Sequence, residues 1–165
     1  MPLAILMSPR WGLKIGEKLM ERKYKLLIVD DDKDILTEYE NHLAKQGFIV
    51  EVAHDGTEGL EKLRRDSEFD IALVDFKMPD MNGVDMIRQA YKTGIAADMI
   101  IWSEPEEYNK YDTIAAMKLG VNDWFEKSRL DMPNFFQRIK EVAEGVSLHE
   151  VSRILSLIPK EELRW

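Results

Sequence analysis

The chain has 165 residues, room for one domain with a sizeable core, and its 45% hydrophobic and 33% charged content is that of an ordinary globular protein. A net charge of −8 excludes nucleic acid as the default partner, because phosphate contacts require clustered Lys and Arg. Cysteine is absent, which removes disulfide and thiolate chemistry and suits a reducing cytoplasm, and no apolar run reaches the roughly 20 residues of a membrane-spanning helix.

Residues 1–23 form a basic N-terminal extension. Within residues 1–25 the six basic side chains Arg10, Lys14, Lys18, Arg22, Lys23 and Lys25 meet only Glu17 and Glu21, net +4, so the remainder carries −12. Trp11, Ile15 and Leu19 fall at helical spacing beside Lys14, Lys18 and Arg22, the pattern of a basic amphipathic helix for an anionic surface or a partner. The plainer reading is an unstructured leader, or an upstream start codon with Met20 the true beginning.

From residue 24 short apolar runs alternate with helical periodicity. Leu26–Val29 reads as a strand, followed by a helix with Ile35, Leu36, Tyr39 and Leu43 on one face and Gly47 as its stop. Phe48–Ala53 is the second strand and Thr57–Arg65, with Leu60 and Leu63, the second helix. Ile71–Val74 is the third strand, and a loop leads to a helix over Val84–Tyr91 that Gly94 ends. Met99–Trp102 is the fourth strand, Thr113–Leu119 a helix stopped by Gly120, and Asp123–Glu126 a short fifth strand. Phe135, Ile139 and Val142 make the stripe of a last helix, which closes a domain spanning 24–145. Five βα units in series predict a doubly wound α/β domain, a parallel sheet with helices on both faces.

In open sheets of this kind ligands bind beyond the carboxyl ends of the strands. Strand one ends in Asp30 and Asp31, strand three in Asp75, strand four in Ser103 and strand five in Lys127. Singly, each reads as a cap or a solvated polar group. Together they place three acids, a hydroxyl and an ammonium along one edge. Three close carboxylates stay ionised only opposite a cation. Hard oxygen donors without His or Cys suit Mg²⁺, with Mn²⁺ as the alternative. A carboxylate can attack phosphorus to form an acyl phosphate, while Lys127 and the Ser103 hydroxyl stabilise the transferred oxygens. In the run VDDD, Asp32 is read instead as the N-cap of the following helix, with Asp34 in its first turn.

Residues 24–145, through the words LLIVDDD, FDIALVDFKMPDMNG, MIIWS and AAMKLGVNDWFEK, resemble the receiver domain of two-component response regulators, of the type seen in the chemotaxis response regulator. The resemblance implies a flavodoxin-like five-stranded sheet of order 2-1-3-4-5. It implies Asp75 as phosphoacceptor, Mg²⁺ held by Asp30, Asp31, Asp75 and the backbone carbonyl of Lys77, and phosphoryl contacts from Ser103 and Lys127. It also implies a switch in which Ser103 moves and the strand-five aromatic, here Trp124, turns inward. Three residues depart from the family pattern. Trp124 is bulkier than the usual Tyr or Phe, and so reads either as a switch or as a permanently packed residue. Glu104 stands where a small residue is usual; it screens phosphodonors, orients a water or lies in solvent. Ser128 replaces the Pro after Lys127, so a cis bond is not expected there. Lys77 and Glu104 are candidate modulators.

Residues 146–165 extend the domain with Leu148, Val151, Leu155 and Ile158 at helical spacing, a docking or dimerising helix or a linker toward an output domain. They are too few and too weakly basic for a DNA-binding module. The function expected is a cytoplasmic phosphorelay switch. It takes its phosphoryl group from a sensor histidine kinase or phosphotransfer protein and signals to a downstream protein, with homodimerisation open. It is not an enzyme on other substrates. A receiver-like binding module independent of phosphorylation is the alternative. A phosphatase of the haloacid dehalogenase type fits poorly, because it wants Asp-x-Asp after strand one and room for a cap domain.

Overall fold

The computed structural model describes residues 23–145. The readings made on the basic extension and on the C-terminal stripe therefore lie outside the described residues. The strands are β1 (Lys25–Val29), β2 (Ile49–Ala53), β3 (Ile71–Asp75), β4 (Asp98–Ser103) and β5 (Asp123–Glu126). The helices are α1 (Lys33–Lys45), α2 (Gly56–Arg65), α3 (Gly83–Lys92), α4 (Lys110–Leu119) and α5 (Met132–Glu144). The strands pair in parallel in the order β2-β1-β3-β4-β5, as the resemblance implied.

Alternation along each strand sends side chains to two separate cores. Leu27, Val29, Ala72, Val74, Met99 and Ile101 pack under α2, α3 and α4, meeting Leu60, Leu63, Met86, Ile87 and Ala116. Leu26, Ile28, Ile71, Leu73, Ile100 and Trp102 pack under α1 and α5, meeting Leu36, Leu43, Phe135, Ile139 and Val142. Strands buried on both faces explain why β1, β3 and β4 read as continuous apolar runs. Each fully buried Leu or Ile contributes on the order of 1.5–3 kcal/mol of transfer free energy.

The element ends follow from local chemistry, and several differ from expectation. α4 starts at Lys110 rather than Thr113 because Asn109 and Asp112 form a reciprocal capping box. α2 and α3 each begin one residue early, at Gly56 and Gly83, under the caps Asp55 and Asn82. β5 stops at Glu126, and Lys127 opens a 3₁₀ turn, Lys127–Arg129. Gly47, Gly94 and Gly120 all have φ between 79° and 95°, so each stop uses the left-handed region open to glycine. Among the described residues no peptide bond is cis, as Ser128 in place of Pro led us to expect.

Asp32 caps α1 as predicted: its Oδ1 accepts from the Asp34 amide at 2.9 Å and the Ile35 amide at 3.2 Å. Asp32→Ala is expected to cost about 1 kcal/mol in urea denaturation. A Mg²⁺ titration of the same variant should match wild type, because the backbone amide of residue 32 still serves Asp30.

Candidate functional site

The ladder registers bring the strand ends into one edge. Val29 lies beside Val74 and Ala53, and Asp75 beside Trp102, so Asp30, Asp75 and Ser103 emerge on neighbouring strands. Asp30 is held by its own amide, which donates to the Ala53 carbonyl, and by its Oδ1, which accepts from the Asp32 amide at 3.0 Å. Lys127 reaches across from the end of β5. Its Nζ lies 2.7 Å from Asp30 Oδ2 and 2.9 Å from Asp75 Oδ1, and its side chain is only 9% exposed. It also lies over the Trp102 ring, 5.1 Å from the centroid.

Burial, and then the charge of Asp30, push the Asp75 carboxyl up to about 7 against the pull of Lys127. Asp30 is raised too, chiefly by burial. Burial opposes the charge on Lys127, but the two carboxylates outweigh it and raise its pKa. One ammonium thus faces three acids, since Asp31 stands exposed at the rim. One oxygen from each of Asp30, Asp31 and Asp75 can lie within 4.8 Å of the others. When all three carboxylates are ionised, they and the one ammonium leave a surplus of two negative charges among hard oxygen donors, which fits a divalent cation of the Mg²⁺ type.

The remaining predicted residues divide. Lys77 is exposed on the loop after β3 and lines the cleft over Asp75 with Met78, Pro79 and Glu104. Ser103 is fully buried at the end of β4. Its Oγ is directed along its own loop, donating toward the Glu104 carbonyl at 3.0 Å and Glu107 Oε2 at 3.2 Å. Glu104 is half-buried on the wall of the cleft rather than free in solvent. Trp124 is half-buried and points into an aromatic group, 4.7 Å from the Tyr108 ring and 5.4 Å from Phe76.

Four residues that sequence reasoning did not single out shape the site. Glu107 engages Ser103. Tyr108 donates to Glu126 Oε1 at 2.6 Å and packs on Trp124. Asp80, in the PDMNG word, spans two loops: its carboxylate accepts from the Gly56 and Thr57 amides at 3.1 and 2.8 Å and from the Thr57 hydroxyl, capping α2 from outside. Gly83, in the same word, lets the chain pass the Asp75 carbonyl, where a Cβ would come within 2.5 Å. The word PDMNG was the available signal for Asp80 and Gly83; Glu107 had none.

The response regulator receiver domain family model matches residues 26–140, which contain Asp30, Asp31, Asp75, Ser103 and Lys127. This chain belongs to that family. Receiver domains are the regulated modules of two-component systems. Among curated relatives, the transcriptional regulatory protein CpxR of Escherichia coli (strain K12) is 32% identical over 103 residues, covering 62% of this chain and 42% of CpxR. The chain thus spans less than half the length of that relative. The chemotaxis protein CheY1 of Helicobacter pylori (strain ATCC 700392 / 26695) is 31% identical over 105 residues, 62% of this chain and 84% of CheY1. A CheY-like receiver domain from Methanospirillum hungatei JF-1 superposes with a TM-score of 0.69 at 28% identity, covering 74% of this chain and 95% of its own. The fold is shared as well by Thermotoga maritima TrrA, solved in complex with Mg(2+)-BeF, at a TM-score of 0.62 and 20% identity over 72% of this chain and 98% of that one. No helix among the described residues is long and apolar enough to cross a membrane.

Proposed function

We propose that this receiver domain is a phosphorylation switch with Asp75 as its acceptor. The observation that carries the reading is the buried group of Asp30, Asp75 and Lys127, a carboxylate held at the mouth of a cleft beside a fixed ammonium. An oxygen of Asp75 attacks the phosphorus of a phosphohistidine on a sensor kinase or phosphotransfer protein. The P–N bond breaks, the imidazole keeps the electron pair, and an acyl phosphate forms on Asp75. Lys127, 2.9 Å from Asp75, balances the added charge. Asp30, Asp31, Asp75 and the Lys77 backbone carbonyl would hold a divalent cation, which would supply the positive charge that keeps Asp75 ionised and offsets the charge of the incoming phosphoryl group. Water later attacks the phosphorus, releasing inorganic phosphate and regenerating the carboxylate.

In this reading the chain acts on no separate substrate; it catalyses only its own phosphotransfer and dephosphorylation. It works in the cytoplasm and passes the signal to a downstream protein by rearranging Ser103 and Trp124. The test is intact-mass analysis after incubation with Mg²⁺ and acetyl phosphate. Wild type is expected to gain one phosphoryl group, labile to base and hydroxylamine, and Asp75→Ala to gain none. Wild type that stays unmodified under saturating donor overturns the switch and leaves a binding module that works without phosphorylation.

A further inference from the structure

Glu107 Oε2 accepts from the Glu104 backbone amide at 3.1 Å and lies 3.2 Å from the Ser103 hydroxyl, whose single proton it shares with the Glu104 carbonyl at 3.0 Å. Both donors belong to the β4 end that runs beside Asp75, and the Glu107 side chain lines the same cleft as Asp75 and Lys127. A hydroxyl and an amide converging on one anionic oxygen is the arrangement a phosphoryl oxygen would also seek. The contact is built into the chain. Residues 104–107 form a turn closed by the Glu107 amide donating to the Glu104 carbonyl at 3.1 Å, with Pro105 at the position where its fixed φ favours a turn. The turn returns the carboxylate onto the residue that starts it.

We propose that Glu107 is an internal stand-in for the phosphoryl group, occupying Ser103 and the Glu104 amide until a phosphoryl group on Asp75 displaces it. The inference rests on the acceptor reading above. It makes Glu107 a positioning residue that sets how readily the acceptor is charged. It also supplies a link to the aromatic group. Tyr108 follows Glu107 directly and is packed on Trp124, so expelling the carboxylate pulls on the residue that holds that indole.

Before any phosphorylation, the Glu104 amide resonance should lie downfield in wild type, move upfield in Glu107→Ala, and move part-way in Glu107→Gln. With Mg²⁺ and beryllofluoride as a phosphoryl mimic, Glu107→Ala should bind about five- to tenfold more tightly than wild type, the size of an ordinary coupling between competing contacts. Glu104→Gln removes one charge from the same cleft but keeps the amide, and should change affinity far less. In the Ser103→Ala background the gain from Glu107→Ala should shrink, because a contested donor is gone. An unshifted Glu104 amide, or equal gains in Glu104→Gln and Glu107→Gln, overturns the stand-in and leaves simple charge repulsion. A wild type that accepts phosphoryl groups while Glu107→Ala behaves identically sinks this inference alone. If neither protein accepts acetyl phosphate or beryllofluoride, the acceptor reading and the stand-in fall together. If only Glu107→Ala responds, the stand-in is a full latch.

Discussion

Lys127→Met is expected to destabilise the metal-free protein by about 3–5 kcal/mol at pH 8, the cost of leaving a buried charge without its partner. The ammonium contacts Asp30 and Asp75 at 2.7 and 2.9 Å, and both carboxylates are essentially enclosed. Met keeps the apolar length over the Trp102 ring, so the loss reports charge rather than packing. The cost should depend on pH with a definite sign. Asp75 is raised to about 7 in the fold from an ordinary value of 3.8. A carboxyl whose folded pKa is raised contributes stability that is complete below its unfolded value and is lost as pH climbs through the folded one. Without Lys127 that folded value rises further. At pH 5 Asp75 carries a proton with or without Lys127; at pH 8 the variant must keep a proton, or an unpaired charge, that wild type can give up beside the ammonium. Urea denaturation in EDTA at the two pH values should show the gap between wild type and variant widening upward. Mg²⁺ should narrow it at pH 8. An equal cost at both pH values would mean that the ion pairs do not govern the loss.

Gly83→Ala is expected to cost about 2–3 kcal/mol, as overpacking does where neighbours cannot yield, and to lower phosphoryl acceptance further than stability alone explains. The added Cβ would meet the Asp75 carbonyl oxygen at 2.5 Å and the Asp75 carbon and Phe76 Cα at 3.2 Å, all backbone. The Gly83 amide also donates to the Phe76 carbonyl at 2.8 Å, tying the start of α3 to the end of β3. Relief therefore requires moving the Asp75 backbone itself, and with it the proposed acceptor carboxylate. Gly56 is the control. There the added carbon meets the Met81 side chain at 2.6 Å, and a methionine can swing aside. Urea denaturation and adduct yield for both variants check the difference, and equal behaviour of the pair would remove the special role of Gly83.

The architecture was legible because strands buried on both faces and helices with one apolar stripe leave different marks on sequence. Leu26–Val29 and the stripe Phe135, Ile139 and Val142 announced themselves, and both are buried. The site was legible as far as it is made of strand ends. What escaped was made by loops. Acidic residues in the stretch SEPEEYN look like solvent-facing charge until the turn brings Glu107 back onto Ser103. Asp80 caps a helix that begins 24 residues earlier in the chain, a partnership no local pattern encodes. The start of α4 was misjudged because its box uses Asn109 and Asp112 instead of the commoner Ser or Thr with Glu. That helix also packs less than its apolar content suggests: only Ala116 is buried, while Ile114 and Met117 face outward.

The registers that align the strand ends have a consequence for how such a protein changes over time. Asp30 and Asp75 are carried on a frame of paired backbone, whereas Glu107 belongs to a short surface turn. Surface turns accept substitution far more readily than central strands. The frame therefore holds the proposed acceptor firmly, while the proposed Glu107 contact rests on a turn that a single substitution can change. Under the stand-in proposal, one residue of that turn can reset how readily Asp75 takes a phosphoryl group without disturbing Asp75 itself.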